Sequence, residues 1–178
     1  ELLLKKQINK LFTSKVDIII TSGAVSAGKF DYIPSIINEF KLSGYFKSIA
    51  IRPGKPILFS KFKGKQKAFF GLPGNPISSV ACFRFFVYKF LQYSLDVKAE
   101  KPIKAVLKNN FSKQINFTRF VKSKCNTTKN GKLEVEILKG QESFRIQSFI
   151  KSNMWTMLPS GKSRFKKGDI VDCFLQNY

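Results

Sequence analysis

The stretch Gly71-Leu72-Pro73-Gly74-Asn75-Pro76-Ile77-Ser78-Ser79 decides how the first half of the chain folds. The residues before it, Lys67 to Phe70, form a short apolar run that predicts a strand. The residues from Ile77 to Leu95 predict a helix, so the stretch is a strand-to-helix turn. Pro73 and Pro76 each fix φ at about −65° and each remove a backbone donor.

This turn has two interpretations. Gly74 is able to take a positive φ or to let the backbone approach a ligand closely, and Asn75 is kept out of the α region by the proline that follows it. Ser78 and Ser79 are able to cap the helix, whose first N–H groups lack helical partners and favour an anion. The turn is therefore either part of an anion site or a rigid connection with ordinary caps.

A second loop of the same kind follows the β-branched run Val16 to Ile20, which predicts a strand buried on both faces. This loop, Thr21 to Gly28, is rich in small and hydroxyl residues. At the carboxyl end of a parallel strand it lies where open α/β sheets bind ligands, although an ordinary βα connection explains it as well. Asp31 follows, either as a site residue or as the N-cap of a helix predicted from Tyr32 to Phe40.

Two cations flank the Pro-Gly turn Arg52-Pro53-Gly54-Lys55-Pro56, which follows a strand predicted at Ser48 to Ile51. A rigid turn would hold Arg52 and Lys55 together, which costs electrostatic energy unless an anion lies between them. The alternative is two solvated charges among 32 basic residues.

The composition changes after Leu95, and a polar segment ending at Pro102 predicts a linker, with a domain boundary between residues 97 and 98. Asn130-Gly131 is a hairpin signal, because a type I′ turn requires positive φ at both central residues. The predicted strands beyond the linker are Ile103–Leu107, Thr118–Cys125, Lys132–Leu138, Met154–Leu158 and Ile170–Phe174. The sequence therefore predicts an α/β domain with a partial parallel sheet, followed by a small all-β barrel or sandwich.

The net charge of +21, from 32 basic and 11 acidic residues, is compatible with a nucleic-acid partner. The lysines are scattered and no nucleic-acid motif is present, so we expect no nucleic acid and a local anionic ligand for a few cations. Three widely spaced cysteines indicate reduced cytoplasmic thiols. No apolar run of about 18 residues predicts a membrane span. With neither histidine nor a CxxC pair in the segment, zinc fingers and histidine general bases are excluded there.

Four motifs in one order give the chain a family resemblance. They are Thr21-Ser22-Gly23-Ala24-Val25-Ser26-Ala27-Gly28-Lys29-Phe30-Asp31-Tyr32, Arg52-Pro53-Gly54-Lys55-Pro56, Gly71-Leu72-Pro73-Gly74-Asn75-Pro76, and Gly140-Gln141-Glu142-Ser143 with Ser148 and Leu158-Pro159. The pattern resembles the molybdopterin molybdenumtransferases, the MoeA-type enzymes related to the gephyrin E domain. The resemblance runs over nearly the whole chain and is most specific in the first three motifs.

The resemblance implies an enzyme of molybdenum cofactor biosynthesis. Such an enzyme takes adenylylated molybdopterin and molybdate, cleaves the adenylate with a divalent cation, usually Mg²⁺, and releases the cofactor and AMP. It also implies a cytoplasmic homodimer. The chain resembles the second part of the molybdopterin-binding α/β domain plus the C-terminal β-barrel-like domain. The alternatives are a non-catalytic molybdopterin-binding or scaffold protein and, further away, a basic nucleic-acid-binding protein.

The resemblance also assigns roles to single residues. Asp31 matches an acidic active-site residue near the metal or the phosphates, and Arg52 and Lys55 match cations that bind molybdate or phosphate oxygens. Phosphoanhydride cleavage needs positioned cations and a metal more than a nucleophile. The remaining matched positions are expected to contact the substrate: Ser22, Gly23, Ser26, Pro73, Gly74, Asn75, Pro76, Ser143 and Ser148.

Two positions depart from the family pattern. Ala24 stands where many members have glycine, and Lys29 stands where some have an acid. Because the resemblance covers only a C-terminal portion, we expect the 178-residue chain alone to be catalytically silent and prone to associate. We also expect weaker amide protection in Val16 to Thr21 than in the hairpin Thr118 to Leu138.

Overall fold

The chain divides into two compact units. The computed structural model describes residues 2–25, 31–64 and 66–176. The first unit comprises Glu1–Ile49 and Gly54–Val87, and the second comprises Ala50–Pro53 and Tyr88–Tyr178. The domain boundary at residues 97 and 98 stays a prediction, and the compact units divide the chain after Val87.

The described residues form short helices and strands along the whole chain. The helices are α1 (Leu2–Thr13), α2 (Ile33–Asn38), α3 (Pro76–Cys82), a π-helical turn (Phe83–Val87), α4 (Tyr88–Ser94) and α5 (Ile146–Ile150). The strands are β1 (Ile18–Ser22), β2 (Leu42–Lys47), β3 (Ile51–Arg52), β4 (Leu58–Phe62), β5 (Ala68–Leu72), β6 (Ile103–Leu107), β7 (Phe111–Ser112), β8 (Thr118–Thr127), β9 (Leu133–Ile137), β10 (Met154–Leu158), β11 (Arg164–Phe165) and β12 (Ile170–Leu175).

The sheet of the first unit has the strand order β1-β5-β4-β2. β1 and β5 run parallel, with Ile19 opposite Phe69, whereas β4 is antiparallel to both β5 and β2. The α/β fold class is confirmed, and the sheet is mixed because β2 and β4 supply an antiparallel pair. The strand predicted at Ser48 to Ile51 is wrong in its bounds, since β2 ends at Lys47 and Ser48 takes a left-handed φ of 66°.

The core of the first unit joins α1 and α2 to the sheet. Phe12 stacks on Phe40 with ring centroids 4.2 Å apart and meets Phe62 edge to face at 4.1 Å. Ile19 is buried in this core, but Ile20 is 44% exposed. The expectation that this strand is buried on both faces is therefore wrong. Alternate side chains of a strand point to opposite faces of the sheet, and only one face of β1 packs on the core.

The helical residues after the turn run from Pro76 to Ser94 in three consecutive parts, as the sequence predicts to within a residue or so. Asn75 is extended, with φ −73° and ψ 125°, and it is the N-cap of α3. The predicted capping by Ser78 and Ser79 is wrong, because α3 has no side-chain cap bond at Asn75 and the Ser79 hydroxyl donates to the carbonyl of Pro73 instead. Gly74 has no positive φ.

The second unit contains a closed barrel. Its strands pair in the order β10-β12-β6-β9-β8, and β8 pairs back with β10. These are the five strands predicted from the sequence, so the barrel-like prediction is confirmed. The hairpin between β8 and β9 is present, but only Gly131 has a positive φ, of 74°. The Thr128 N–H donates to the Lys132 carbonyl, so a loop of three residues, Lys129 to Gly131, ends on a left-handed glycine, and the predicted type I′ turn is wrong.

The barrel core is built from inward-facing residues of every barrel strand. Among them are Val121, Val135 and Leu158. β3 adds to β8 on the outside, and β7 pairs with β11 as a separate ribbon. Within the described part of the chain, no helix has the length and apolar character needed to cross a membrane.

Candidate functional site

Two loops of the first unit meet at their glycines. The loop after β1 and the turn between β5 and α3 leave the same end of a parallel strand pair. The Gly23 N–H donates to the Leu72 carbonyl at 2.9 Å, and Gly23 has a φ of +88°. A Cβ added to Gly74 would lie 3.4 Å from the Cα of Gly23. Side chains at these positions would strain or separate the loops, which explains a glycine in each.

The loops line a cavity of about 320 Å³ in the first unit. Its polar lining comes from Asp31, Asn75 and Ser78, and its other described lining residues are Gly23, Ala24, Val25, Pro56, Pro73 and Gly74. The Oδ1 atom of Asn75 is buried and accepts no hydrogen bond from the described residues. Buried acceptors normally have a partner, so the amide of Asn75 is poised for a donor on a ligand.

Serines lie in or next to both loops of the first unit, and two of them, Ser22 and Ser26, are predicted contacts. The Ser22 hydroxyl lies 3.5 Å from the Ser79 hydroxyl and thereby joins β1 to α3. Ser78 lines the cavity although no contact role was predicted for it. Ser26 lies outside the described residues, as does Lys29, so their roles stay predictions.

Asp31 lines this cavity and is half-buried. It precedes α2, whose N-cap is Tyr32 without a side-chain cap bond. The Ile33 N–H donates to the Ala24 carbonyl at 3.2 Å, which fixes the start of α2 beside the β1 loop. Asp31 is therefore not the N-cap residue of α2, and it lies in the lining of the cavity. Its catalytic role stays a prediction.

The turn around Lys55 is fixed by its own backbone. The Ile49 N–H donates to the Lys55 carbonyl at 3.0 Å, and the Ile57 N–H donates to the Gly54 carbonyl at 3.1 Å. Gly54 takes a φ of +102°. Pro56 lines the cavity, while the Lys55 side chain is exposed.

Arg52 belongs to the second unit, so the predicted cation pair is divided between the units. β3 runs parallel to β8 with Arg52 opposite Arg119. The Arg52 guanidinium lies 4.6 Å from the centre of the Phe117 ring. Within its own unit, Arg52 therefore has an arginine for a neighbour, a pairing that the sequence did not predict.

The loop that carries Ser143 and leads into α5, which contains Ser148, is tied to β8 by a buried lysine. Lys122 Nζ donates to the carbonyls of Gly140, Glu142 and Arg145 at 2.7, 3.0 and 3.0 Å. Burial lowers the pKa of Lys122. The Ser148 hydroxyl donates to the carbonyls of Gly140 and Arg145, so it also organises this loop. Substrate contacts of Ser143 and Ser148 stay predictions.

Sequence reasoning missed Lys122, Lys113 and Arg119. β8 is buried without interruption from Phe120 to Ser123, because the segment from Gly140 to Arg145 covers the face on which Lys122 emerges. The periodicity expected of a half-exposed strand is thus lost. A lysine between two buried residues was the only available signal, and in a lysine-rich chain it carries little weight.

Comparisons with known proteins match both parts of the chain. Residues 2–93 match the family described as "Probable molybdopterin binding domain". Residues 104–175 match the family described as "MoeA C-terminal region (domain IV)". The two matched segments follow each other in the order that the sequence motifs indicate.

Two similar proteins carry the same name, molybdopterin molybdenumtransferase. A molybdopterin molybdenumtransferase of Staphylococcus aureus strain COL is 36% identical over 172 residues, which is 95% of this chain and 40% of that protein. One from Staphylococcus epidermidis strain ATCC 12228 is 34% identical over 171 residues, again 95% of this chain and 40% of that protein. The chain thus spans about two fifths of the length of these relatives.

The fold also matches solved structures. The molybdopterin biosynthesis MoeA protein from Pyrococcus horikosii has a TM-score of 0.71 and 26% identity, covering 98% of this chain and 41% of that protein. A molybdenum cofactor biosynthesis protein from Pyrococcus furiosus has a TM-score of 0.70 at 21% identity, covering 97% of this chain and 53% of that protein. The second likeness speaks for the shared fold alone.

Proposed function

The chain belongs to the MoeA-type molybdopterin molybdenumtransferase family, and on that basis we propose that it forms part of an enzyme of molybdenum cofactor biosynthesis. The proposed reaction inserts molybdate into adenylylated molybdopterin and releases AMP. The observation that carries the proposal is the cavity of the first unit, where the two motif loops and Asp31 come together.

The cavity suits a molybdopterin-type ligand in its size and its lining. A volume of about 320 Å³ lies at the small end of ligand pockets. The absence of a side chain at Gly74, next to Gly23, lets a phosphate approach the backbone of the turn closely. Asn75 and Ser78 supply side-chain polar groups that orient the ligand.

Asp31 is the residue that would hold Mg²⁺. It is the only carboxylate among the described lining residues, and the described residues contain no cluster of three or more acidic, cysteine or histidine side chains. Mg²⁺ commonly takes one or two carboxylates together with waters and substrate phosphates, so a single aspartate fits it. Bound there, Mg²⁺ would neutralise charge on the phosphoanhydride during its cleavage.

The remaining roles are proposed for each unit by itself. In the first unit, Lys55, exposed on its fixed turn, binds oxygens of molybdate or phosphate. In the second unit, Arg52 on β3 binds such oxygens, and Ser143 in the loop that Lys122 holds and Ser148 in α5 are substrate contacts. We further propose that the protein acts in the cytoplasm as a homodimer, and its three buried free cysteines suit that reducing compartment.

The test is AMP release by the full-length protein supplied with adenylylated molybdopterin, molybdate and Mg²⁺. Asp31→Asn should keep substrate binding and lower AMP release at least a hundredfold, because the amide keeps the shape but not the charge. Asp17→Asn, at an exposed aspartate of the same unit, is the matched control and should release AMP normally.

Two outcomes would remove the role of a single residue, and a third would count against an enzyme. Normal AMP release by Asp31→Asn would remove the metal role, and unchanged molybdate dependence in Lys55→Ala would remove the oxyanion role. Binding of adenylylated molybdopterin by the wild type without AMP release would favour the binding or scaffold alternative.

A further inference from the structure

The second unit has a cavity of its own beside α5. Its volume is about 310 Å³, and it lies between the residues that follow β9 and the helix. The charged and polar side chains that line it are those of Lys139, Arg145, Gln147, Ser148 and Lys151. No carboxylate is among the described lining residues. The cavity is therefore surrounded by cations and by neutral polar groups.

A glycine lets the two sides of this cavity approach each other. Gly140 takes a φ of +77°, and a Cβ added there would lie 3.2 Å from Cδ of Arg145 and 3.5 Å from Oγ of Ser148. The Ser148 hydroxyl donates to the Gly140 carbonyl at 2.6 Å, which holds α5 against this segment. The missing side chain at Gly140 thus brings Arg145 to the same concave surface as Lys139.

The positive charge around the cavity is only partly compensated. Lys139 and Lys151 are exposed, and their ammonium groups make no ion pair with the described residues. Arg145 meets one carboxylate, because its Nε lies 3.4 Å from Glu142. Three cations and one carboxylate leave two net positive charges. Like charges held around one concave surface repel each other unless an anion lies between them.

A buried lysine adds to this field from behind the cavity wall. Lys122 Nζ donates to the carbonyls of Gly140 and Arg145, two lining residues, at 2.7 and 3.0 Å. Burial lowers the pKa of Lys122, and the positive charge of Arg145 is among the neighbouring charges that lower it further. These two carbonyl oxygens are already bound by an ammonium group, which reduces the repulsion that they would exert on an anion.

We propose that this cavity binds a phosphate group through Lys139, Arg145 and Lys151. The guanidinium presents paired N–H donors to two oxygens, and the ammonium groups supply charge and donors to the others. The side-chain amide of Gln147 adds a neutral donor. A dianionic phosphate matches the two uncompensated charges. The inference does not rest on the proposed reaction, because none of the three cations is among the residues proposed for it.

The experiment is arginine labelling of the full-length protein with phenylglyoxal, with inorganic phosphate or with sodium chloride at the same ionic strength. Mass spectrometry of the peptide that contains Arg145 gives the labelling rate at this cavity alone. We expect saturating phosphate to slow the labelling of Arg145 about fivefold or more, since bound oxygens occupy its donors. Arg164, an exposed arginine of the same unit, is the internal control and should change by less than about twofold.

Two double variants assign the protection to the cavity. Lys139→Gln with Lys151→Gln removes two of the three cations and should reduce the protection of Arg145 by phosphate to less than about twofold. Lys129→Gln with Lys132→Gln removes two exposed lysines of the hairpin between β8 and β9, and this matched control should protect like the wild type. AMP in place of inorganic phosphate distinguishes the sources of the group. Half-protection at a lower concentration of AMP identifies a nucleotide phosphate, and the reverse order identifies free phosphate.

The proposal fails if phosphate leaves the labelling rate of Arg145 unchanged, or if the variant without Lys139 and Lys151 keeps the protection. Protection by rising sodium chloride equal to that by phosphate would also overturn it, because that result is screening of solvated lysines. Labelling is measured without adenylylated molybdopterin. A failure here therefore leaves the proposed reaction standing, and a failure of Asp31→Asn to lower AMP release leaves this cavity standing.

Discussion

The two units differ in the pairing at the edges of their sheets and in the hydrogen bonding of their loops. In the barrel, each of the five strands has two neighbours, because β8 closes back on β10. In the first unit, β1 pairs only with β5 among the described strands, and Ile20 on that strand is 44% exposed. Closure gives every barrel strand a partner on both sides, whereas an open sheet leaves groups at its edges unpaired.

The same contrast extends to the polar groups of the loops. In the second unit, the ammonium groups of two buried lysines donate hydrogen bonds to backbone carbonyls. Lys122 donates to three carbonyls and Lys113 to two. In the first unit, the loops around the cavity touch through glycine, and the buried Oδ1 of Asn75 has no described partner. The barrel loops are thus satisfied internally, and the cavity loops keep hydrogen-bonding capacity for a ligand.

The largest effect is expected when the Lys122 ammonium group is removed. Lys122→Met keeps most of the side-chain volume but leaves the carbonyls of Gly140, Glu142 and Arg145 without their donor. We expect the second unit to lose about 2–4 kcal/mol of unfolding free energy, because buried groups that lose a charged partner are costly. Denaturant unfolding followed by Trp155, the single tryptophan and a buried residue of β10, measures this unit directly.

Lys124→Met is the matched control on the same strand. Lys124 is exposed, and surface substitutions usually change stability by about 0.5 kcal/mol or less. A loss below about 1 kcal/mol in Lys122→Met would mean that the barrel loop holds itself without the lysine.

A smaller effect is expected at Gly71 in β5, below the cavity loops. A Cβ added there would lie 2.6 Å from Cγ1 of Val25 and 3.3 Å from Cβ of Leu58. We expect Gly71→Ala to cost about 1–2 kcal/mol through overpacking. Gly44→Ala is the control in the same sheet, since its nearest contact would be an ordinary 3.8 Å to Cβ of Lys61.

Amide hydrogen exchange provides the measurement for this pair, because it resolves strands that Trp155 does not report on. Gly71→Ala should speed exchange in β1 and β5 and leave β8 unchanged. In the wild type, β1 should exchange faster than β8, because β1 has a single neighbour among the described strands. Equal protection in the two strands would show that barrel closure does not separate the stabilities of the units.

The sequence predicted the elements whose signals are local. All five barrel strands were found because each is a short β-rich run between turn residues, and the helix after Pro76 was found because proline, glycine and apolar spacing agree there. The two motif loops lie together because parallel strands bring their carboxyl ends to one edge of the sheet. Their role in substrate binding stays a prediction.

What the sequence missed depends on contacts between distant residues. The strand β2 carries Gly44 within it and was overlooked, since glycine weakens strand propensity. Arg119 is brought next to Arg52 only by the β3–β8 register, which the sequence does not reveal. Lys122 finds its hydrogen-bond acceptors only in a loop about twenty residues later. Even Arg52 and Lys55, three positions apart, belong to different units.

The smallest expected effect comes from the buried thiols, of which each unit holds at least one. Burial raises the pKa of Cys82 in the first unit to about 12 and that of Cys173 in the second unit to about 11. Since the folded pKa lies above the unfolded value of about 9, the stabilisation is complete well below pH 9 and is lost as the pH rises past 9 and through the folded pKa. Between pH 7 and pH 9, each thiol should therefore lower the unfolding free energy by about 0.4 kcal/mol. Cys82→Ala and Cys173→Ala, compared by the slope of stability against pH, should each remove that share in their own unit. An unchanged slope in either variant would mean that the thiol of that unit is already reached by water in the folded state.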